Sequence, residues 1–188
     1  MPSDRILWLA TGNKAKLREA RTILSECQIR VRQVQRPKLE IQSYDLAEIA
    51  SFAADNISRE QKGMVAVEDS GLFISSLSGF PGPYTAYAYQ TIGVSGVLRL
   101  LTDSPNRKAD FKAAIAVSRS GQTLNTFIGQ IKGNIAKSQR GENGFGFDPI
   151  FIPMGNHRTF GEMSAPQKNM QSHRRRGFKK LARWYLSF

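Results

Sequence analysis

One cysteine, Cys27, occurs in a chain of 188 residues. That excludes an intrachain disulfide and a multi-thiolate metal centre, and it suits a reducing compartment. Two histidines, His157 and His173, are too few for a His-rich zinc site. No apolar run approaches the roughly 18 residues that span a bilayer, so no membrane partner is expected. The opening residues Met1–Arg5 lack a basic n-region and a long apolar stretch, so no secretory signal is read and a cytoplasmic location is expected. No Ser/Gly linker, internal repeat or shift in composition marks a boundary, and the expectation is one domain over residues 1–188. Acidic residues are also scarce: 15 Asp and Glu stand against 27 Lys and Arg, a net charge of +12.

Hydrophobic residues at 40% and charged residues at 22% are enough for a core of normal size and exclude a disordered chain. The positive excess favours anionic partners without naming one, since nucleic acid, a nucleotide and a phosphorylated metabolite all respond to such a field. Its densest run, His173-Arg174-Arg175-Arg176 with Lys179, Lys180 and Arg183, has Phe178, Leu181, Trp184 or Tyr185, and Phe188 at helical spacing opposite. The solvated face of a helix accounts for this run better than an RNA-binding stripe, which needs interleaved exposed aromatics.

Hydrophobic period predicts strands over Ile6–Ala10, Val31–Val34, Met64–Val67 and Ile150–Ile152, and helices over Lys14–Leu24, Leu46–Glu60, Val94–Leu101 and the C-terminus. Phe111, Ala113, Ile115 and Val117 alternate with their neighbours, Arg119-Ser120-Gly121-Gln122 gives a turn, and Leu124–Ile131 returns, so a β-hairpin is expected. Gly79-Phe80-Pro81-Gly82-Pro83-Tyr84 reads as a loop. Strands alternating with helices, plus one hairpin, give an α/β or α+β class with a mixed sheet.

Four segments could carry chemistry. Thr11-Gly12-Asn13-Lys14-Ala15-Lys16 sits at a strand-to-helix junction, where free N–H groups, the helix dipole and a lysine favour an anion. It lacks the Walker pattern, and taken alone the segment reads better as a plain Asn13 N-cap beside solvated lysines. Glu68 and Asp69 follow a buried strand; they read either as oxygen ligands for a hard divalent cation or as a salt-bridged pair, and strand geometry turns them to opposite faces. Gly144-Phe145-Gly146-Phe147-Asp148-Pro149 can form an aromatic platform for a base or a turn whose rings join the core. The fourth is Gln167-Lys168-Asn169 with Ser172-His173-Arg174: Ser172 can cap the last helix, which puts His173 and Arg174 in its first turn, where a cation opposes the dipole, a local conflict that hints at function.

In this order these pieces resemble the inosine/xanthosine triphosphate pyrophosphatase family. The matching residues are Ala10-Thr11-Gly12-Asn13 with Lys16 and Glu19, Glu40-Ile41-Gln42, Val67-Glu68-Asp69-Ser70-Gly71-Leu72, and Leu77-Ser78-Gly79-Phe80-Pro81-Gly82-Pro83-Tyr84. They continue through Gly144–Phe151, Thr159-Phe160-Gly161-Glu162-Met163, Lys168-Asn169 and Ser172-His173-Arg174. The resemblance implies an α/β fold with an elongated mixed sheet flanked by helices, two lobes around a nucleotide-binding cleft, and a homodimer. It implies Mg²⁺-dependent hydrolysis of ITP, dITP and XTP between the α- and β-phosphates. Carried over, Asn13 and Lys16 hold the triphosphate, Glu40 and Asp69 bind the metal, and Asp69, Glu68 and Lys16 are catalytic. Phe145, Asp148, Lys168, His173 and Arg174 line the base and sugar end, Ser172 holds that turn, and Thr11, Ser70, Gly146 and Phe147 complete the substrate contacts. Two positions depart from the family pattern, since Ala53 and Ala86 stand where many relatives carry a cation. The alternative reading is a catalytically weakened nucleotide- or nucleic-acid-binding protein on the same fold; with the catalytic residues retained, nucleic acid is not the expected partner.

Overall fold

The computed structural model describes residues 5–187. Most of the N-terminal stretch read for a signal, and Phe188 of the C-terminal apolar stripe, lie outside the described residues. Seven strands form one mixed sheet with the path β2-β1-β3-β5-β6-β7, and β4 pairs with β3 off that path. They are β1 Ile6–Ala10, β2 Arg30–Val34, β3 Val65–Ile74, β4 Pro81–Gly82, β5 Lys108–Arg119, β6 Gln122–Ile135 and β7 Phe151–Pro153. Six helices accompany them: α1 Lys14–Ser25, α2 Leu46–Ser58, α3 Thr85–Thr91, α4 Gly93–Leu100, α5 Ala165–Gln171 and α6 His173–Leu186. This is the α/β class expected. The chain divides into two compact units, one comprising residues up to Asp69, Ala113–Gly129 and from Arg174 on, the other Ser70–Lys112 and Gln130–His173.

In the first unit β1 runs parallel to both β2 and β3, as β-α-β connections through α1 and α2 require. Alternation turns Leu7 and Leu9 to one face, where Leu17, Ala20, Ile23 and Leu24 of α1 and Phe178 and Leu181 of α6 cover them. The hairpin closes through Ser120 and Gly121 with φ of 52° and 81°, the paired positive values of a two-residue turn matched to strand twist.

The basic run on α6 is less solvated than expected. Arg175 donates to both oxygens of Glu26 at 2.8 and 2.9 Å, and Lys179 reaches the same carboxylate at 2.7 Å. Hydrogen bonds from Arg175 and then Lys179 hold the Glu26 carboxyl down at about 2, against an ordinary value of 4.5. A depressed carboxyl adds stability above the unfolded value and loses it as pH falls through the folded one. Glu26→Gln is therefore expected to cost about 0.5–1 kcal/mol in melts at pH 7 and low salt, a difference that fades between pH 4.5 and 2. It also fades at molar salt.

In the second unit Leu72, Ile74, Val97, Phe111, Ile131, Phe147, Phe151 and Phe160 form the core. The Gly-Pro segment expected as loop contains the two-residue β4. Gly71 permits this pairing, because a Cβ there would overlap the Gly82 carbonyl. Helix α3, which no period announced, follows directly, with Tyr84, Tyr87 and Tyr89 exposed. Strand β3 also runs seven residues beyond Val67, so Glu68 and Asp69 lie inside it rather than at its end.

Candidate active site

Asn13 is the N-cap of α1: its Oδ1 accepts from the N–H groups of Ala15 at 2.9 Å and Lys16 at 3.1 Å. The Asn13 N–H donates to Thr11 Oγ1, and Gln33 Nε2 donates to the Thr11 carbonyl at 2.8 Å, which pins the turn against β2. So fixed, the first turn of α1 carries Lys16 to Glu68, Nζ to Oε2 2.8 Å. Arg174 reaches the other Glu68 oxygen through Nε at 3.1 Å and Glu19 through Nη1 at 3.3 Å. Glu68 and Arg174 are buried, while Lys16 keeps an outlet to solvent. Lys16 and Arg174 are balanced by Glu68 and Glu19, and Lys16, the more exposed of the two cations, stands in the first turn of α1, where the helix N-terminus favours an anion.

Asp69, turned to the opposite face of β3 by strand alternation, is half-buried. Burial pushes its carboxyl up to about 6; Lys16 and Lys38 pull it down, and Glu68 and Glu40 push it up again. Both carboxylates proposed for a metal, Glu40 and Asp69, thus act on each other in the first unit. Among the described residues no three or more His, Cys, Asp or Glu form a closed metal cage. Mg²⁺ does not ask for one, since it takes one or two carboxylates and completes its shell with water and phosphate oxygens. Hard oxygen donors that repel one another at a half-buried site fit such an ion.

The base-side candidates gather in the second unit. Gly144 and Gly146 take φ of 80° and 62°, and the loop they shape lets Asp148 accept the Phe145 N–H at 2.8 Å. Lys168 donates to the same Asp148 oxygen at 2.6 Å and lies 4.6 Å over the Phe145 ring. Phe145 remains half-buried, whereas Phe147 joins the core edge-on to Tyr89. His173 is buried and stacks on Phe111 at 4.8 Å. Ser172, also buried, stands directly before α6. Ser70 continues β3, half-buried. Arg174, the first residue of the first unit's last segment, is held by Glu68 and Glu19.

The model of the Ham1 family matches residues 7–184. The chain belongs to the Ham1 family. Curated relatives named dITP/XTP pyrophosphatase include that of Hyperthermus butylicus, 44% identical over 98% of this chain and 96% of its own length. Another, from Methanopyrus kandleri, is 46% identical over 94% of each. The solved structure of a HAM1 protein from Coxiella burnetii superposes with a TM-score of 0.85 at 27% identity, covering 97% of this chain and 99% of that one.

Against the Ham1 pattern, Ala53 is fully buried in α2 and Ala86 is exposed on α3. Two residues to which the sequence reading gave no role stand out. Glu19, partly buried, anchors Arg174; in sequence it shows only as an acid one helical turn from Lys16. Asn169 is buried with an Oδ1 that accepts no hydrogen bond among the described residues. Its polarity on the inner face of α5 was the available signal.

Proposed function

We propose that this chain hydrolyses dITP, ITP and XTP to the nucleoside monophosphate and pyrophosphate, removing deaminated purines from the nucleotide pool. Near-full-length identity to enzymes named dITP/XTP pyrophosphatase supports the substrate class. The observation that carries the chemistry is Lys16, set by the Asn13 cap against Glu68 beside a carboxyl, Asp69, poised near neutrality.

In this reading the first unit takes the phosphates. Lys16 and the positive end of α1 meet the triphosphate charge, which grows on the leaving pyrophosphate as the anhydride bridge breaks. Asp69 accepts the proton of the attacking water, a task for which a raised carboxyl is suited. Glu40 and Asp69 would hold Mg²⁺, which supplies charge neutralisation and a more acidic water when bound. Glu68, neutralised by Lys16 and Arg174, fixes both cations.

The second unit takes the base. Phe145 offers a ring face, and Asp148, Lys168 and His173 offer polar groups. A donor aimed at the 6-oxo group of hypoxanthine or xanthine faces another donor in adenine, and an unmatched buried group costs about 1–3 kcal/mol, one to two decades of discrimination. The reading includes a homodimer, supported by the exposed tyrosines of α3, and a cytoplasmic setting, supported by the single free Cys27.

A panel of dITP, ITP, XTP, GTP, ATP and CTP, with Mg²⁺ or EDTA, tests the proposal. Pyrophosphate release is expected from the first three at about 10–100 times the ATP rate, and none in EDTA. No turnover, with salt-resistant RNA or DNA binding, would favour the binding-protein alternative.

A further inference from the structure

Lys38 lies in the connection between β2 and α2, outside every element, yet its side chain is only 23% exposed. A lysine in an exposed loop ordinarily extends its ammonium to water. This one is committed to an ion pair with Glu40, whose own side chain is 49% exposed. Its charge also acts on Asp69, second among the cations only to Lys16. Three carboxylates, Glu40, Glu68 and Asp69, and two lysines, Lys16 and Lys38, therefore bear on one place in the first unit. Lys16 is committed to the buried Glu68 at 2.8 Å. Among the described residues Lys38 pairs with the more exposed Glu40, the other carboxylate suited to a divalent cation.

We propose that Lys38 is a second phosphate-binding cation, exchanging its Glu40 partner for a phosphate oxygen of the triphosphate or of product pyrophosphate. The proposal rests on the pyrophosphatase reading above. A partly covered ammonium gains from a facing anion, since some of its hydration is already lost. Glu40 is that anion in the free protein, and phosphate replaces it when Glu40 serves the metal. One consequence is reciprocal coupling: whatever occupies Glu40 strengthens phosphate binding, and phosphate strengthens that occupancy equally.

The test uses the full chain as wild type, Lys38→Ala, Lys38→Arg and the exposed surface control Lys62→Ala. Calorimetric titration with inorganic pyrophosphate in Mg²⁺ is combined with dITP kinetics and a thermal melt. Lys38→Ala is expected to weaken pyrophosphate binding and raise KM about tenfold, the loss of one charge-assisted bond. kcat is expected to stay within about threefold, because a contact made equally to substrate and transition state moves KM alone. Lys38→Arg and Lys62→Ala should remain near wild type, with melting unchanged throughout. The half-saturating Mg²⁺ concentration should hold or fall in Lys38→Ala, since nothing then competes for Glu40. An active wild type with unchanged pyrophosphate affinity and KM in Lys38→Ala overturns the inference and leaves the enzyme reading intact. A rise in the Mg²⁺ requirement with lower kcat and unchanged KM also overturns it, making Lys38 a brace for Glu40. A wild type that neither turns over dITP nor binds pyrophosphate defeats both.

Discussion

Asp69→Asn is expected to lower kcat for dITP by about 10²–10⁴-fold, the usual contribution of a positioned general base, and to make the metal-free protein more stable at pH 7. The opposite signs are the point. In the wild type, burial, Glu68 and Glu40 all disfavour the charged form, and Lys16 and Lys38 only partly relieve it, leaving the carboxyl at about 6 instead of 3.8. The folded state then binds the proton more tightly than the unfolded state. Wild-type stability is thus greatest on the acid side of this window and falls as pH rises from about 3.8 through about 6. Above it the penalty is present in full, of order 1–3 kcal/mol, and a neutral isostere lacks it. Melts in EDTA should show Asp69→Asn a few degrees above wild type at pH 7.5, the gap closing as pH approaches 4. A variant that loses activity and melts lower would make Asp69 a structural acid. Loss of activity with a gain in stability is the trade expected of a functional group held against its preference.

Much of the fold could be read from period alone. Ile6–Ala10 is matched to the residue, and α1, β2 and the hairpin to within a few, because each has one apolar face that the core must cover. Strand β3 was read too short because Glu68, Asp69 and Ser70 interrupt its apolar run. The Glu68 charge is balanced by Lys16 and Arg174, the latter 106 residues away in sequence, and local patterning carries no trace of that. Helix α3 escaped for a related reason: its tyrosines are exposed and Ala88 is its one buried residue, so no apolar stripe marked it. For the site, local rules placed the Asn13 cap and the opposite orientations of Glu68 and Asp69. They could not place Arg174 with Glu68, or give Lys38 a role, since both depend on long-range partners. The resemblance supplied the grouping that single motifs left open.

Lys168→Met is expected to destabilise the fold by about 3–5 kcal/mol, more than any other single change within the base-side group. Lys168 and Asp148 are each 4% exposed and meet at 2.6 Å. Removing the ammonium takes the counter-charge from a buried carboxylate that also holds the Phe145 N–H and shapes the turn at Gly144. At 2–4 °C per kcal/mol for a chain of this size, melting should fall by about 10 °C. Asp148→Asn should also destabilise: the amide oxygen can still accept from the Phe145 N–H, but the buried Lys168 ammonium loses its counter-charge. The double variant should be less damaged than the sum of the singles, with a coupling of about 1–3 kcal/mol, because neither ion is then left alone. Kinetics separate structure from selection. Well below the melting transition, Lys168→Met should narrow the ratio of kcat/KM for dITP over dATP by about 10-fold or more if the ammonium faces the base. Melting near wild type would mean that the pair is solvated in solution. A lower melting point with an unchanged ratio would confine the pair to holding the loop and return base selection to Phe145 and His173.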